Sequence, residues 1–409
     1  MKRVIIIGGG ASGLTAAIMA ARKSQKAQII LLEQKDSPGK KILATGNGRC
    51  NLTNLLQNPS CYRSEHPEIA ENILARFPVK DTLAFFQSLG LMFKMRGDYV
   101  YPRSDQASTV LELLLLEAER LGVQVHTGIS VDSVTRNAKG FRVSAKEQKY
   151  LADAVILACG GKASSALGSD GSGYTLAKSL GHSMEPVVPA LVQLKVAKHP
   201  YSKASGVRTE ATVSARIDGE IVASDRGELQ VTAYGISGIP VFQVSRYVAK
   251  GLYEKRKVQV QLDLIPDLEQ SEFVSYLNRR RTGRESMACG EFLTGIFHKK
   301  LIPRLLEQAG IRMNQKVSEL TKQQVRHFAD ICKAGLLTIT DTNGFENAQV
   351  CAGGVPLTEI HPDTMESRYV PGLYLTGELL DVDGICGGYN LQWAWTTGAL
   401  AGCACVSRD

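Results

Sequence analysis

Val4-Ile5-Ile6-Ile7-Gly8-Gly9-Gly10-Ala11-Ser12-Gly13, with the alanine-rich run that follows, decides the fold. Four consecutive apolar residues read as a strand buried on both faces, and they lead into a glycine turn that opens a helix. A second apolar stretch, Gln28 to Leu32, ends on Glu33, twenty positions beyond Gly13. Each glycine has its own task. Gly8 permits the tight turn, Gly10 lets a pyrophosphate approach the backbone, and Gly13 lets helix and strand pack closely. The phosphates then meet the positive end of the helix, and Glu33 can accept hydrogen bonds from a ribose 2′-hydroxyl. An ordinary glycine-rich turn leaves Glu33 unexplained. The acid also disfavours a 2′-phosphate, so FAD or NAD fits better than NADP.

Outward from that motif, the chain is ordinary in composition: 409 residues, 44% hydrophobic, 22% charged, with no low-complexity tract. That length predicts two or three domains. No apolar run reaches the roughly 20 residues that span a bilayer, and the short apolar stretch after Lys2-Arg3 is the first strand rather than a leader. The expected compartment is the cytoplasm. Nine cysteines are scattered without a CxxC pair, which argues against a structural zinc site and a disulfide-reductase couple, and no metal is expected. A net charge of +8 permits an anionic substrate, such as an acyl-CoA, a nucleotide or RNA, without demanding one.

The fold class read from the pattern is α/β. Residues 1–190 alternate strands and helices as in a parallel sheet covered on both faces, and form the first part of a FAD-binding Rossmann-like domain. Within them, Asp153 to Cys159 is a buried strand ending in the turn Gly160-Gly161. Residues 191–265 alternate β-branched and polar residues, with a hairpin signal at Asp218-Gly219, and read as an inserted β-barrel-like domain. Residues 266–335 lack that alternation and read as a helical domain. Residues 336–409 open with a return strand and resume glycine-rich sequence, forming the second part of the split nucleotide domain.

A flavin cofactor needs both ends because it is long. Its adenosine would sit on the first strand–turn–helix unit. Small residues and an acid at Gly377-Glu378 can hold the ribityl chain and inner phosphate. A glycine turn, Gly387-Gly388, then opens a last helix whose N-terminus can face the ring's N1–C2=O edge, where reduced flavin carries negative charge. The plainer reading of those two glycines is a loop of convenience.

Gly39-Lys40-Lys41-Ile42-Leu43-Ala44-Thr45-Gly46-Asn47-Gly48-Arg49-Cys50-Asn51-Leu52-Thr53-Asn54, Cys351 to Val355, Thr364 to Ser367 and Gly377 to Trp393 are long, uncommon motifs spread over the whole chain. In them the sequence resembles the BaiN/YhiN-like flavoproteins, the aminoacetone-oxidase family of FAD-binding enzymes. The resemblance implies FAD contacts at Ala11, Ser12, Glu33, Gln34, Lys41, Glu378, Asn390 and Leu391, with backbone bonds from Val131 to the adenine. At Cys386 a small residue such as threonine is expected, so a thiol there departs from the pattern.

Similarity to BaiN-type members implies reduction of a C=C bond conjugated to a carbonyl, in 3-oxo-Δ4 or Δ4,6 steroids and bile-acid intermediates. Hydride would reach the β-carbon while a side chain gives the α-carbon its proton. Similarity to YhiN-type members implies the same enone chemistry on uridine in ribosomal RNA, and an amine oxidase using O₂ is a further alternative. No second GxGxxG occurs, so NADH or NADPH would dock transiently. Proton-donor candidates are Cys50, Tyr389 and Cys386. Cys50 also reads as a small packing residue, and Tyr389 as a packing aromatic whose hydroxyl caps a loop. Arg49 could hold a substrate anion, or the cofactor pyrophosphate, which is the reading favoured. The run Arg279-Arg280-Arg281 with Arg284 could grip RNA or a CoA phosphate, or simply form a solvated helix face. Trp393 and Trp395 read as core.

Overall fold

The computed structural model describes residues 1–407. The chain forms two compact units: residues 1–188 with 349 onward, and residues 189–348. In the first unit five parallel strands lie in the order Leu373–Leu375, Ala154–Leu157, Arg3–Ile7, Gln28–Leu32, Gln124–His126. The opening strand therefore sits at the centre, and Val4, Ile5 and Ile6 are fully enclosed. The strand beyond Ala154–Leu157 comes from the far end of the sequence, so the sheet is complete only when the C-terminal segment returns.

Two helices carry that return. The opening helix, Ala11–Lys23, and the closing helix, Tyr389–Cys405, pack against each other. A Cβ at Gly398 would collide with the Ser12 carbonyl, and one at Gly402 with the Ala16 carbonyl. Glycine at these positions lets the two backbones touch. Trp395 is fully buried, edge-on to Phe86 at 5.0 Å between ring centroids, and Leu14 and Ile18 of the opening helix are fully buried. Each such side chain contributes about 1.5–3 kcal/mol by leaving water. A buried imidazole pins the returning segment further: His182 Nδ1 lies 2.8 Å from Glu359 Oε2, and its Nε2 lies 2.8 Å from Ser367 Oγ.

The second unit is built on a closed six-stranded barrel, in the order Leu194–Val196, Gly235–Gly238, Glu220–Val231, Arg208–Ile217, Val258–Asp263, Gly335–Thr342. The hairpin at Asp218-Gly219 holds φ of 52° and 95°, as a primed turn requires. The division of the sequence at 265 and 335 needs correction. Gly335–Thr342, read as the strand returning to the nucleotide domain, instead pairs with Val258–Asp263 on one side and Leu194–Val196 on the other. Without it the barrel would have two open edges. The helices between, among them Gln270–Arg281 and Lys322–Ala334, share one apolar core with the barrel rather than forming a separate body.

Within the basic run Arg279 and Arg284 are exposed, whereas Arg280 and Arg281 are half-buried and are not part of a solvated face. Arg280 donates to the Phe292 and Thr294 carbonyls at 3.1 and 2.9 Å, and Arg281 donates to the Val317 and Leu320 carbonyls at 3.2 and 2.8 Å. Arg280 thereby ties down the end of the short helix Cys289–Phe292, and Arg281 ties down the turn after Val317, whose carbonyl also accepts the Leu320 amide at 3.2 Å. Among the described residues no helix is long and apolar enough to cross a membrane.

Candidate cofactor and substrate site

The glycine turn is set by contacts that exclude larger residues. Gly8 holds φ 107°, and a Cβ on Gly13 would collide with the Gly8 carbonyl oxygen. Gly10 begins the opening helix with no side-chain cap and no acid in the first turn, and a Cβ there would meet nothing within 4 Å. The amides of Ala11, Ser12 and Gly13 precede the first intrahelical bond, from Leu14 to Gly10. Open space, free amides and a helix dipole together suit a phosphate.

Glu33 is 8% exposed and also builds this turn. Its Oε2 accepts the Gly9 amide at 2.8 Å and its Oε1 accepts the Lys35 amide at 2.8 Å. A carboxylate has about four acceptor positions, so capacity remains for ribose hydroxyls. Gln34 donates to the Gly168 carbonyl at 2.6 Å. Gly160, at φ 72°, lies against Ser169 in the same loop system. Val131 is half-buried, just past Ile129, whose amide donates to the Glu33 carbonyl. Val131 itself makes no backbone hydrogen bond within the described residues, which leaves both its peptide groups available.

The two ends of the sequence meet at the middle of the site. Lys41 Nζ lies 2.7 Å from Glu378 Oε2 and donates to the Ala163 carbonyl at 3.2 Å. Glu378 Oε1 accepts the Cys351 amide at 2.8 Å. Gly377, beside it, is tied down from two positions of the closing helix: its amide donates to Thr397 Oγ1 at 2.9 Å, and its carbonyl accepts from Trp393 Nε1 at 3.0 Å. Neither the hold of Cys351 on Glu378 nor that of Thr397 on Gly377 could be read from the sequence, because the partners lie 27 and 20 positions apart. Burial, then the nearby Glu378 charge, pushes the Cys351 thiol up to about 12.

At the far end, Gly388 (φ 97°) starts the closing helix without a side-chain cap, and no acid occupies its first turn. The first intrahelical bond runs from Gln392 to Gly388, so the Tyr389, Asn390 and Leu391 amides precede it. Asn390 turns its carboxamide back on Gly384, exchanging two bonds of 2.8 and 2.9 Å. The helix start therefore offers backbone dipoles held in place by side chains, a preorganised seat for negative charge.

The three proton-donor candidates separate by access. Cys50 is fully enclosed, and burial, against a hydrogen bond from Thr45, pushes its thiol up to about 12. Tyr389 is 3% exposed and donates to the Leu56 carbonyl at 3.0 Å, edge-on to Tyr62. Burial first, then Cys61, raises its phenol. Cys386 is half-buried at the lip of the glycine turn. One residue absent from the sequence reading stands beside it: Tyr99, 43% exposed, whose ring edge would lie 3.1 Å from a Cβ on Gly387. The alternation Tyr99-Val100-Tyr101 was the available signal. Leu55, Leu56 and Met95 are exposed on the same small sheet and its loop. Arg49 is exposed, its amide donates to the Gly46 carbonyl at 3.3 Å, and its guanidinium makes no hydrogen bond or ion pair among the described residues; its electrostatic neighbours are Tyr101 and Asp105.

Comparison with known proteins places this geometry. The family described as HI0933-like protein Rossmann domain matches residues 2–404. A 3-dehydro-bile acid delta(4,6)-reductase of Clostridium scindens is 60% identical over 408 residues, covering 100% of both chains. A ribosomal RNA dihydrouridine synthase of Escherichia coli is 30% identical over 393 residues, covering 96% of this chain and 95% of that one. Among solved structures, the open conformation of a flavocytochrome c3 fumarate reductase aligns with a TM-score of 0.50 at 13% identity, covering 99% of this chain and 78% of the other. That last likeness is one of fold.

Proposed function

The chain belongs to the HI0933-like Rossmann-domain family, and from that membership we propose that it is an FAD-dependent reductase of a carbon–carbon double bond conjugated to a carbonyl. The substrate is a small molecule of the 3-oxo-Δ4 or Δ4,6 steroid or bile-acid type, met in the cytoplasm. The observation that carries this reading is the full-length likeness to the bile-acid reductase.

Bound at the site, FAD supplies a ring that takes up a hydride and gives it back. The chain's own groups do the rest. The amides of Ala11 to Gly13 hold pyrophosphate charge at the helix end, and Glu33 accepts from the ribose. Lys41 and Glu378, joined at 2.7 Å, would hold the middle of the cofactor. The amides of Tyr389, Asn390 and Leu391 at the start of the closing helix would stabilise negative charge on the bound flavin. Leu55, Leu56, Met95 and Tyr99 give an apolar ring skeleton a surface on which to rest. Tyr99 and Cys386, the two groups with solvent access beside the glycine turn, hold the proton for the α-carbon. Arg49 reaches for an anion, the pyrophosphate or a substrate's acidic tail, CoA-linked forms included. The reductant is NADH or NADPH, docking transiently.

The test is to reduce the yellow protein with NADH or NADPH without oxygen, then offer a steroid dienone, aminoacetone and undermodified ribosomal RNA in turn. Reoxidation by the dienone alone supports the proposal. Reoxidation by RNA alone, or by air with peroxide release and no response to NAD(P)H, replaces it with the corresponding alternative.

A further inference from the structure

Four carboxamide side chains stand where the loop before Asn54 meets the start of the closing helix, and three of them are spent. Asn54 donates to the Gly387 carbonyl at 3.2 Å and accepts the Leu56 amide at 3.0 Å. Asn390 is occupied by both polar groups of Gly384. Gln392 accepts from Thr53 Oγ1 at 2.7 Å and donates to the Phe77 carbonyl, Thr82 Oγ1 and Thr396 Oγ1.

Asn51 is the exception. It is 9% exposed, and its Oδ1 is buried without a hydrogen-bond partner. The backbone on either side is fixed. The Cys50 amide donates to Thr45, the Leu52 amide donates to Val100, and the Leu52 carbonyl accepts from Trp395 Nε1 at 3.0 Å. Two residues on, Thr53 packs so closely on Gly388 that a Cβ there would lie 2.8 Å from the Thr53 carbonyl carbon. Asn51 thus belongs to the stretch of chain lying against the helix start, and has no freedom to slide toward another partner. A buried, unpaired amide oxygen is among the costlier features a fold can retain.

We propose that Asn51 is a flavin-positioning residue whose Oδ1 accepts the N3–H of the isoalloxazine ring, while its Nδ2 donates to a ring carbonyl adjoining N3. The choice of N3–H follows from chemistry. The orphan is an acceptor, so the ligand must bring a donor. N3 carries its hydrogen in both oxidised and reduced flavin, whereas N5 carries one only after reduction. N3–H therefore satisfies Asn51 throughout turnover. A carboxamide against an imide edge pairs donor with acceptor twice, which neither a ribityl hydroxyl nor a phosphate offers. The proposal rests on FAD binding to this chain.

The experiment measures dissociation constants of apoprotein for FAD and for FAD methylated at N3, in the parent and in Asn51→Leu. The parent is expected to lose roughly ten-fold or more on methylation. Asn51→Leu is expected to bind FAD more weakly than the parent by a similar factor and to be nearly indifferent to methylation. Its apoprotein should melt no lower than the parent's, because an unsatisfied group has been removed, while the rise in melting temperature on adding FAD shrinks. Asn51→Ser, a smaller polar substitution, gives an intermediate affinity and guards against a failure of the leucine variant to fold. Equal FAD affinity in parent and variants overturns the assignment. So does equal sensitivity of both proteins to methylation, which would put the contact elsewhere on the cofactor. A variant apoprotein that melts well below the parent overturns it in favour of a purely structural role. If the parent itself takes up no FAD, the cofactor reading falls, and this proposal with it.

Discussion

Lys41 Nζ lies 2.7 Å from Glu378 Oε2, joining residues 337 positions apart in the chain. Neither end of the sequence holds this pair alone. Lys41 arrives on a five-residue helix after the second strand, and Glu378 on a turn directly after the returning strand Leu373–Leu375. With 25% and 16% of the side chains exposed, the pair lies between a surface ion pair and a buried one.

Lys41→Met leaves the Glu378 carboxylate supported by the Cys351 amide alone. The expected loss of stability is about 1–3 kcal/mol, less than for a dry pair because some water remains. The double variant Lys41→Met/Glu378→Gln should regain part of that stability without regaining affinity for FAD. Thermal unfolding of the apoproteins checks the first statement and FAD titration the second. Equal stability of single and double variants would show the pair to be idle.

Glu33 builds the glycine turn through the Gly9 and Lys35 amides, and under the proposed function it holds the ribose as well. Glu33→Ala strands the Gly9 and Lys35 amides, and each lost charge-assisted bond costs about 1.5–3 kcal/mol. Glu33→Gln keeps one acceptor oxygen and should fall between parent and alanine variant in both melting temperature and FAD retention. Should the alanine variant keep its colour through dialysis as firmly as the parent, Glu33 does not hold the adenosine half.

Arg281→Ala should lower the stability of the barrel unit by about 1–3 kcal/mol, because the Val317 and Leu320 carbonyls lose a charged donor. FAD affinity should not change. A variant as stable as the parent but weaker toward RNA or a CoA ester would return Arg281 to the role of a ligand-binding residue.

Acid should loosen the nucleotide unit through Glu117. Its carboxyl is held below the usual value of 4.5 first by the hydrogen bond from Arg120, joined by Arg22 against the opposing cost of burial. A carboxyl lowered in the folded state contributes stability that is complete above its unfolded pKa and is lost as pH falls through the folded one. The parent's stability should therefore decline below about pH 4.5, and Glu117→Gln should be less stable at neutral pH but flatter through that range. Parallel curves for the two proteins would remove Glu117 from the account.

Much of this was readable from residues alone, for a physical reason. The opening strand, Gly8 to Gly13 and Glu33 are adjacent in sequence and in space, so local pattern carries them. The closing helix announced itself by its glycine turn, and both tryptophans proved to be core residues with their indole N–H groups spent on Gly377 and Leu52. What the sequence hid depends on partners far along the chain. Gly335–Thr342 has the alternation of any strand, and only closure of the barrel decides its neighbours. Arg280 and Arg281 look like a charged patch until the carbonyls they cap are located. The exposure of Tyr99 follows from how one small sheet folds over, which no spacing rule encodes.

Titration of the apoprotein with FAD and with ADP asks whether both ends of one chain hold a single FAD. One FAD per chain is expected, with Glu33→Ala weakened toward both ligands and Asn390→Ala weakened toward FAD while its affinity for ADP is kept. A parent that binds no FAD, or an Asn390→Ala variant that binds FAD as tightly as the parent, would contradict it.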